Sequence, residues 1–108
     1  MIKIHLFRKN GNIIGFEASG HSGYASEGSD IVCSAVSALT QTTALGLEKR
    51  LNLPLNVTIG SESMRCMLEH TETKQLEQAA VLFDTLLLGL RAIEGSYGEY
   101  LSITEKEV

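Results

Sequence analysis

Ile2, Ile4 and Leu6 alternate with Lys3, His5 and Phe7, a period of two that predicts a strand with one buried face. Asn10-Gly11 follows, the pair that best tolerates the positive φ angles of a tight hairpin turn. The partner strand is expected from about Ile13 to Ser19, with Ile14, Phe16 and Ala18 on one face. A glycine-spaced loop then leads to Asp30, placed as the N-cap of a helix reaching about Leu51. Val32, Ala35, Val36 and Leu39 recur at helical spacing, followed by Leu45 and Leu47. Lys49 and Arg50 suit the negative end of the helix dipole, and Pro54 prevents continuation.

Leu55 to Ile59 reads as a third strand and Gly60-Ser61-Glu62 as a turn. Met64, Cys66 and Leu68 alternate with Arg65, Met67 and Glu69, a fourth strand. Thr71 or Thr73 opens a second helix, with Leu76, Ala79, Ala80, Phe83, Leu86, Leu87, Leu90 and Ile93 on its buried side and Gly95 as its stop. Tyr100 to Thr104 is a short final strand. The order is ββαββαβ. Two amphipathic helices need a surface to cover, and one sheet face provides it. The expected class is α+β, a five-stranded sheet with two long helices packed on it, as one domain over residues 1–108.

Composition narrows the function classes. Hydrophobic residues make up 44% and charged residues 20%, a globular balance. The net charge of -4 argues against a broad nucleic-acid footprint, so no direct nucleic-acid binding is expected. A chain this small gains from burying apolar surface in a homodimer. The N-terminus carries no signal-peptide pattern, and no apolar stretch approaches a membrane span. A cytoplasmic setting follows as the expectation, in which Cys33 and Cys66 are free thiols rather than a disulfide.

The informative segment is GHSGYASEGSDIVCSAVSAL, Gly20 to Leu39. With Asp30 as N-cap, Cys33 lies in the first helical turn, where unpaired N–H groups and the positive dipole end favour a thiolate. Such settings lower a cysteine pKa from roughly 8.5 into about 3.5–7.5. A cysteine nucleophile also needs a group that takes its proton and later protonates the leaving amine, and histidine suits both steps. His21 sits just after the preceding strand, so the loop can fold it back onto Cys33. The N–H groups of Cys33 and its neighbours offer an oxyanion site.

Each residue also has a plainer reading. Cys33 alone is compatible with a small buried hydrophobe. Asp30 is a helix cap, and its carboxylate can also hold His21. Ser37, one turn beyond Cys33, is a core-edge hydroxyl or a substrate contact. Gly20, Gly23 and Gly28 either supply turn conformations or hinge a mobile lid with Tyr24 as its aromatic contact. A phosphate cradle is disfavoured, because Glu27 and Asp30 repel an anion and the loop lacks basic residues. The GxxG of Gly20 to Gly23 is a weak match to an RNA clamp. Cys66 and His70 are too far apart along a strand, roughly 13 Å, to share a metal ion. Cys66 is expected in the core, and His5 and His70 at the surface.

The stretch resembles the signature of the bacterial ribosomal-processing cysteine proteases (the Prp family), centred on Gly20-His21, Gly23, Gly28, Asp30-Ile31-Val32-Cys33 and Ser37-Ala38. Ser22 and Ser34 stand where alanine is common in relatives, which implies little for function. The resemblance implies removal of an N-terminal extension from large-subunit ribosomal protein number twenty-seven, with cleavage after a paired-phenylalanine segment. The trimmed end lies near the peptidyl-transferase centre. The resemblance further implies a homodimer, a flexible loop over the site, and neither metal nor organic cofactor. His21 and Cys33 match its catalytic pair, and Asp30 and Ser37 its supporting positions. The competing reading is a non-catalytic ribosome- or RNA-associated binding module, with an inert Cys33.

Overall fold

A computed structural model describes residues 1–26, 28–69 and 72–108. Glu27, the surface position expected for His70 and the alternative helix start at Thr71 lie outside the described residues. The elements are β1 (Ile2–Lys9), β2 (Asn12–Ser19), α1 (Ile31–Leu45), β3 (Leu55–Ile59), β4 (Ser63–Leu68), α2 (Thr73–Tyr97) and β5 (Leu101–Glu107). This is the α+β order that the hydrophobic pattern predicts. The sheet runs β3-β4-β2-β1-β5. Neighbours are antiparallel except β1 and β5, which are parallel, and α2 carries the chain across the sheet from β4 to β5.

Asn10 and Gly11 take φ angles of 52° and 85°, as the hairpin turn requires. One departure follows within that hairpin. Phe7 pairs with Gly15 but Arg8 with Ile13, so the register shifts there and Ile14 is the extra residue of a bulge. A slip of one residue exchanges faces. Ile13, rather than Ile14, therefore joins Phe16 in the core.

The covered face carries Ile2, Ile4, Leu6, Phe16, Cys66 and Leu101, none more than 3% exposed. Val32 and Val36 of α1 and Ala79, Phe83, Leu86 and Leu90 of α2 pack onto it. Phe83 meets Phe16 edge-on, with centroids 6.5 Å apart, a favoured aromatic geometry. On the opposite face Arg65 lies over the Phe7 ring at 5.0 Å, which shields an otherwise solvent-facing aromatic.

Element ends add local detail, and one of them departs from expectation. α1 reaches Leu45 and continues as a π-helical turn, Gly46–Arg50, before Asn52 enters the left-handed region at φ 52°. α2 begins at Thr73 with Glu72 as N-cap, in a capping box with Gln75. Gly95 does not stop it, and the helix ends at Tyr97 with Gly98 as its cap. His5 is half-buried rather than a plain surface residue, and its Nδ1 is shielded without a partner among the described residues. Its register partners on the neighbouring strands are Glu17 and Thr104. No described helix is long and apolar enough to cross a membrane.

The core and the outer side of α2 should respond very differently to truncation. Phe83→Ala is expected to cost about 3–5 kcal/mol in urea denaturation, because it removes a fully buried ring. Leu88→Ala, at a position 71% exposed, should stay within about 0.5 kcal/mol.

Candidate active site

β2 ends where Ser19 pairs with Ser63 at the start of β4. The chain then turns sharply at Gly20, whose φ is +87°. A Cβ there would lie 2.7 Å from the Met1 carbonyl oxygen, so only glycine makes this corner. The Gly20 N–H donates to the Glu62 carbonyl at 2.9 Å, which ties the strand end to the β3–β4 turn. Gly23 and Gly28 are also left-handed, at 74° and 88°. All three glycines thus supply turn conformations that bring the loop back to α1.

Asp30 closes that return. Its Oδ1 accepts the Val32 and Cys33 amides, each at 3.0 Å, and its Oδ2 accepts the hydroxyl of Ser22. Both side chains are buried. The Ser22 hydroxyl first, then the Cys33 amide, hold the Asp30 carboxyl below the usual carboxylate range, with the Ala25 and Val32 amides adding to them against the opposing effect of burial. In the free protein the carboxylate is thus bonded to the helix start and to Ser22 rather than to His21. The Val32 and Cys33 amides, which the sequence offers to an oxyanion, are already bonded to it. Ser22 links loop to cap, a bond that alanine at this position would not make.

Cys33 is half-buried in the first turn of α1. Its Sγ accepts the Ser22 N–H at 3.5 Å, the one hydrogen bond to this sulfur among the described residues. The loop that carries His21 therefore folds onto Cys33. The imidazole itself is directed elsewhere: its Nε2 lies 3.0 Å from Glu62 Oε1, with both side chains about 60% exposed. Glu62 was not foreseen, because nothing local relates it to position 21. Only the β2–β4 pairing brings the two together.

His21, Cys33, Asp30, Glu62, Gly20 and Ser37 line one end of a cavity of about 800 Å³. The cavity runs along α1 past Gln41, Leu45 and Glu48, opposite Val57 and Ile59 of β3. Positions 33, 37, 41, 45 and 48 fall three or four apart on one helical face, so this wall was readable by counting turns from Cys33. Gly23 and Gly28 also border the cavity. Tyr24 is not among its lining residues. Its ring packs edge-on against Tyr97 and Tyr100, at 5.6 and 5.3 Å. Cys66, in contrast to Cys33, is sealed in the core, where desolvation and then the charge of Glu48 push its thiol up to about 11.

The family model described as "Cysteine protease Prp" matches residues 1–102. Among solved structures, SMU.848 from Streptococcus mutans superposes with a TM-score of 0.84 at 26% identity, covering 100% of this chain and 96% of that one. The essential ribosomal processing protease Prp from S. aureus with a covalently linked product peptide gives a TM-score of 0.88 at 20% identity, over 98% and 100%. The same protein with a substrate peptide gives 0.82 at 18% identity, over 98% and 100%. No curated protein matches.

Two outcomes follow from the site as built. Iodoacetamide at pH 8 should modify Cys33 and spare Cys66 in the folded protein, since a buried, protonated thiol reacts poorly; peptide mass mapping reads the difference, and equal labelling contradicts it. A depressed carboxyl stabilises the fold above the ordinary aspartate value, and that contribution is lost as pH falls through the folded value. Ser22→Ala removes the largest cause of the depression, so acid unfolding followed by circular dichroism should begin at higher pH than in wild type.

Proposed function

The chain belongs to the Prp family of cysteine proteases, and from that premise we propose that it removes the N-terminal extension of large-subunit ribosomal protein number twenty-seven, with Cys33 as nucleophile and His21 as general base. The observation that carries the reading is the closure of the loop on the helix. The Ser22 amide reaches the Cys33 sulfur at 3.5 Å, His21 is the adjacent residue, and His21 and Cys33 open into the same cavity.

In the proposed reaction His21 takes the thiol proton and Sγ attacks the scissile carbonyl carbon. The C–N bond then breaks as the imidazolium protonates the leaving amine, which leaves a thioester on Cys33. His21 next removes a proton from water, the hydroxide attacks the thioester, and the sulfur departs and is reprotonated. The free protein holds the imidazole on Glu62, and in this reading the ring approaches the sulfur by a side-chain movement about that contact, sampled in the free protein and completed in the peptide complex. Catalytic hydrogen bonds commonly tighten only in that complex. Negative charge near the sulfur is met by the Ser22 N–H, in place of the amides that Asp30 occupies.

The apolar part of the cavity suits a peptide with an aromatic segment. Leu45, Val57, Ile59 and Met64 line it, and β3 is the outer strand of the sheet, an edge on which an extended peptide can pair. In this reading Asp30 supports the site by fixing the helix start, Ser37 borders the substrate, and Gly20, Gly23 and Gly28 shape the loop that covers it. Residues 1–108 act as one protease domain, as a homodimer in the cytoplasm, without a cofactor and without direct nucleic-acid binding. The non-catalytic ribosome- or RNA-associated module yields to the family assignment.

Cys33→Ala and His21→Ala should each abolish cleavage of a synthetic extension peptide, read by mass spectrometry of its products, while circular dichroism stays native. Normal turnover by Cys33→Ala would end the proposal.

A further inference from the structure

We infer that Glu62 is a positioning residue for His21, the third member of the nucleophile–base constellation. The inference rests on the reading of His21 as general base. It starts from two contacts that reinforce each other. The Gly20 N–H bonds the Glu62 carbonyl at 2.9 Å, which fixes the backbone next to His21 against the β3–β4 turn. The Glu62 carboxylate then meets Nε2 of the ring at 3.0 Å. The turn is itself closed, by the Gly60 N–H to the Ser63 carbonyl at 2.8 Å, and Ser63 is paired with Ser19. The carboxylate thus comes from a braced corner of the sheet.

The chemistry of the contact sets its consequence. The carboxylate charge 3.0 Å from Nε2 favours the tautomer whose ring proton is on that nitrogen. The lone pair of the neutral ring is then on Nδ1, which is the atom left to take the Cys33 thiol proton. When that proton arrives, both ring nitrogens are protonated, and the adjacent carboxylate stabilises the imidazolium without itself accepting a proton. Asp30 lines the same cavity but is committed to Ser22 and the helix amides, and Glu48 stands about four turns beyond Cys33, in the π-helical turn that continues α1. Glu62 is the carboxylate that touches the base.

Magnitude follows from exposure. Replacing a buried triad carboxylate by its amide lowers kcat about 10⁴-fold. Glu62 is about 60% exposed, and solvent weakens such a pair, so the loss in kcat should be about ten- to hundredfold, with KM little changed.

The test uses four full-length proteins: wild type, Glu62→Ala, His21→Ala and the double variant. Two readouts are taken, the second-order rate of iodoacetamide alkylation at Cys33 at pH 7, and kcat and KM on a quenched fluorescent peptide containing a paired-phenylalanine segment. The expectation is a roughly tenfold slower alkylation in Glu62→Ala and no further slowing when Glu62→Ala is added to His21→Ala, the signature of a residue that acts through the imidazole. Equal slowing in both backgrounds, or none in either, overturns the inference. Alkylation needs no peptide. A wild type that fails to cleave therefore removes the proteolytic reading while the alkylation cycle still decides on Glu62.

Discussion

The site depends on one carboxylate, that of Asp30. Its two oxygens join segments that the chain separates by a loop: one caps α1 through the Val32 and Cys33 amides, and the other holds the Ser22 hydroxyl. A helix start has orphan amides that must be bonded somewhere, and a loop without a core must be tied by polar contacts. A single buried group meets both needs. The sulfur at position 33 and the amide at position 22 come within 3.5 Å as a result. Without that tie, the loop would carry His21 with no fixed relation to α1.

The commitment of Asp30 has a second effect. A carboxylate that satisfies two amides and a hydroxyl has little capacity left for an imidazole. The partner of His21 must come from another element, and the sheet supplies it from the β3–β4 turn. Structure and chemistry are divided between two acids, one buried and one exposed. Their environments differ in the same sense: Asp30 is held ionised by dense hydrogen bonding, whereas Glu62 works at the mouth of the cavity, open to solvent. A substrate that covers the mouth removes water from the Glu62–His21 pair, and the attraction between them strengthens at lower effective dielectric.

How much of this was legible depended on sequence distance. The strand alternation at Ile2–Leu6 and Met64–Leu68, the Asn10-Gly11 turn and the Asp30 cap are encoded within a few residues, and each was read in place. The bulge at Ile14 was not, because it is a property of two strands in register and not of either alone. The site divided the same way. Asp30 as cap, Cys33 in the first turn and the turn glycines are local features, and the family signature singled out His21. Glu62 lies forty-one positions after His21 and becomes its neighbour only through strand pairing. Ser22 looked replaceable because its bond to Asp30 spans a loop whose path no periodicity describes. Tyr24 looked like a lid contact because its partners, Tyr97 and Tyr100, come from the far end of the chain.

That last contact constrains how the loop can work. Tyr24 packs against two aromatic rings that belong to the end of α2 and the turn before β5, and two edge-on pairs of this kind contribute about 0.5–1.5 kcal/mol each beyond their buried area. Ser22, two residues earlier, is bonded to Asp30. The loop is therefore pinned near its beginning by two independent attachments, one polar and one aromatic, and His21 precedes both. A movement that brings the imidazole to the sulfur need not release either attachment. Pivoting the His21 ring about its contact with Glu62 disturbs at most one solvent-exposed pair, whereas lifting the loop costs the buried Ser22–Asp30 bond and the tyrosine cluster together. The cheaper path is the side-chain one, and it leaves the helix cap, the Ser22 amide and the cavity wall as they stand in the free protein.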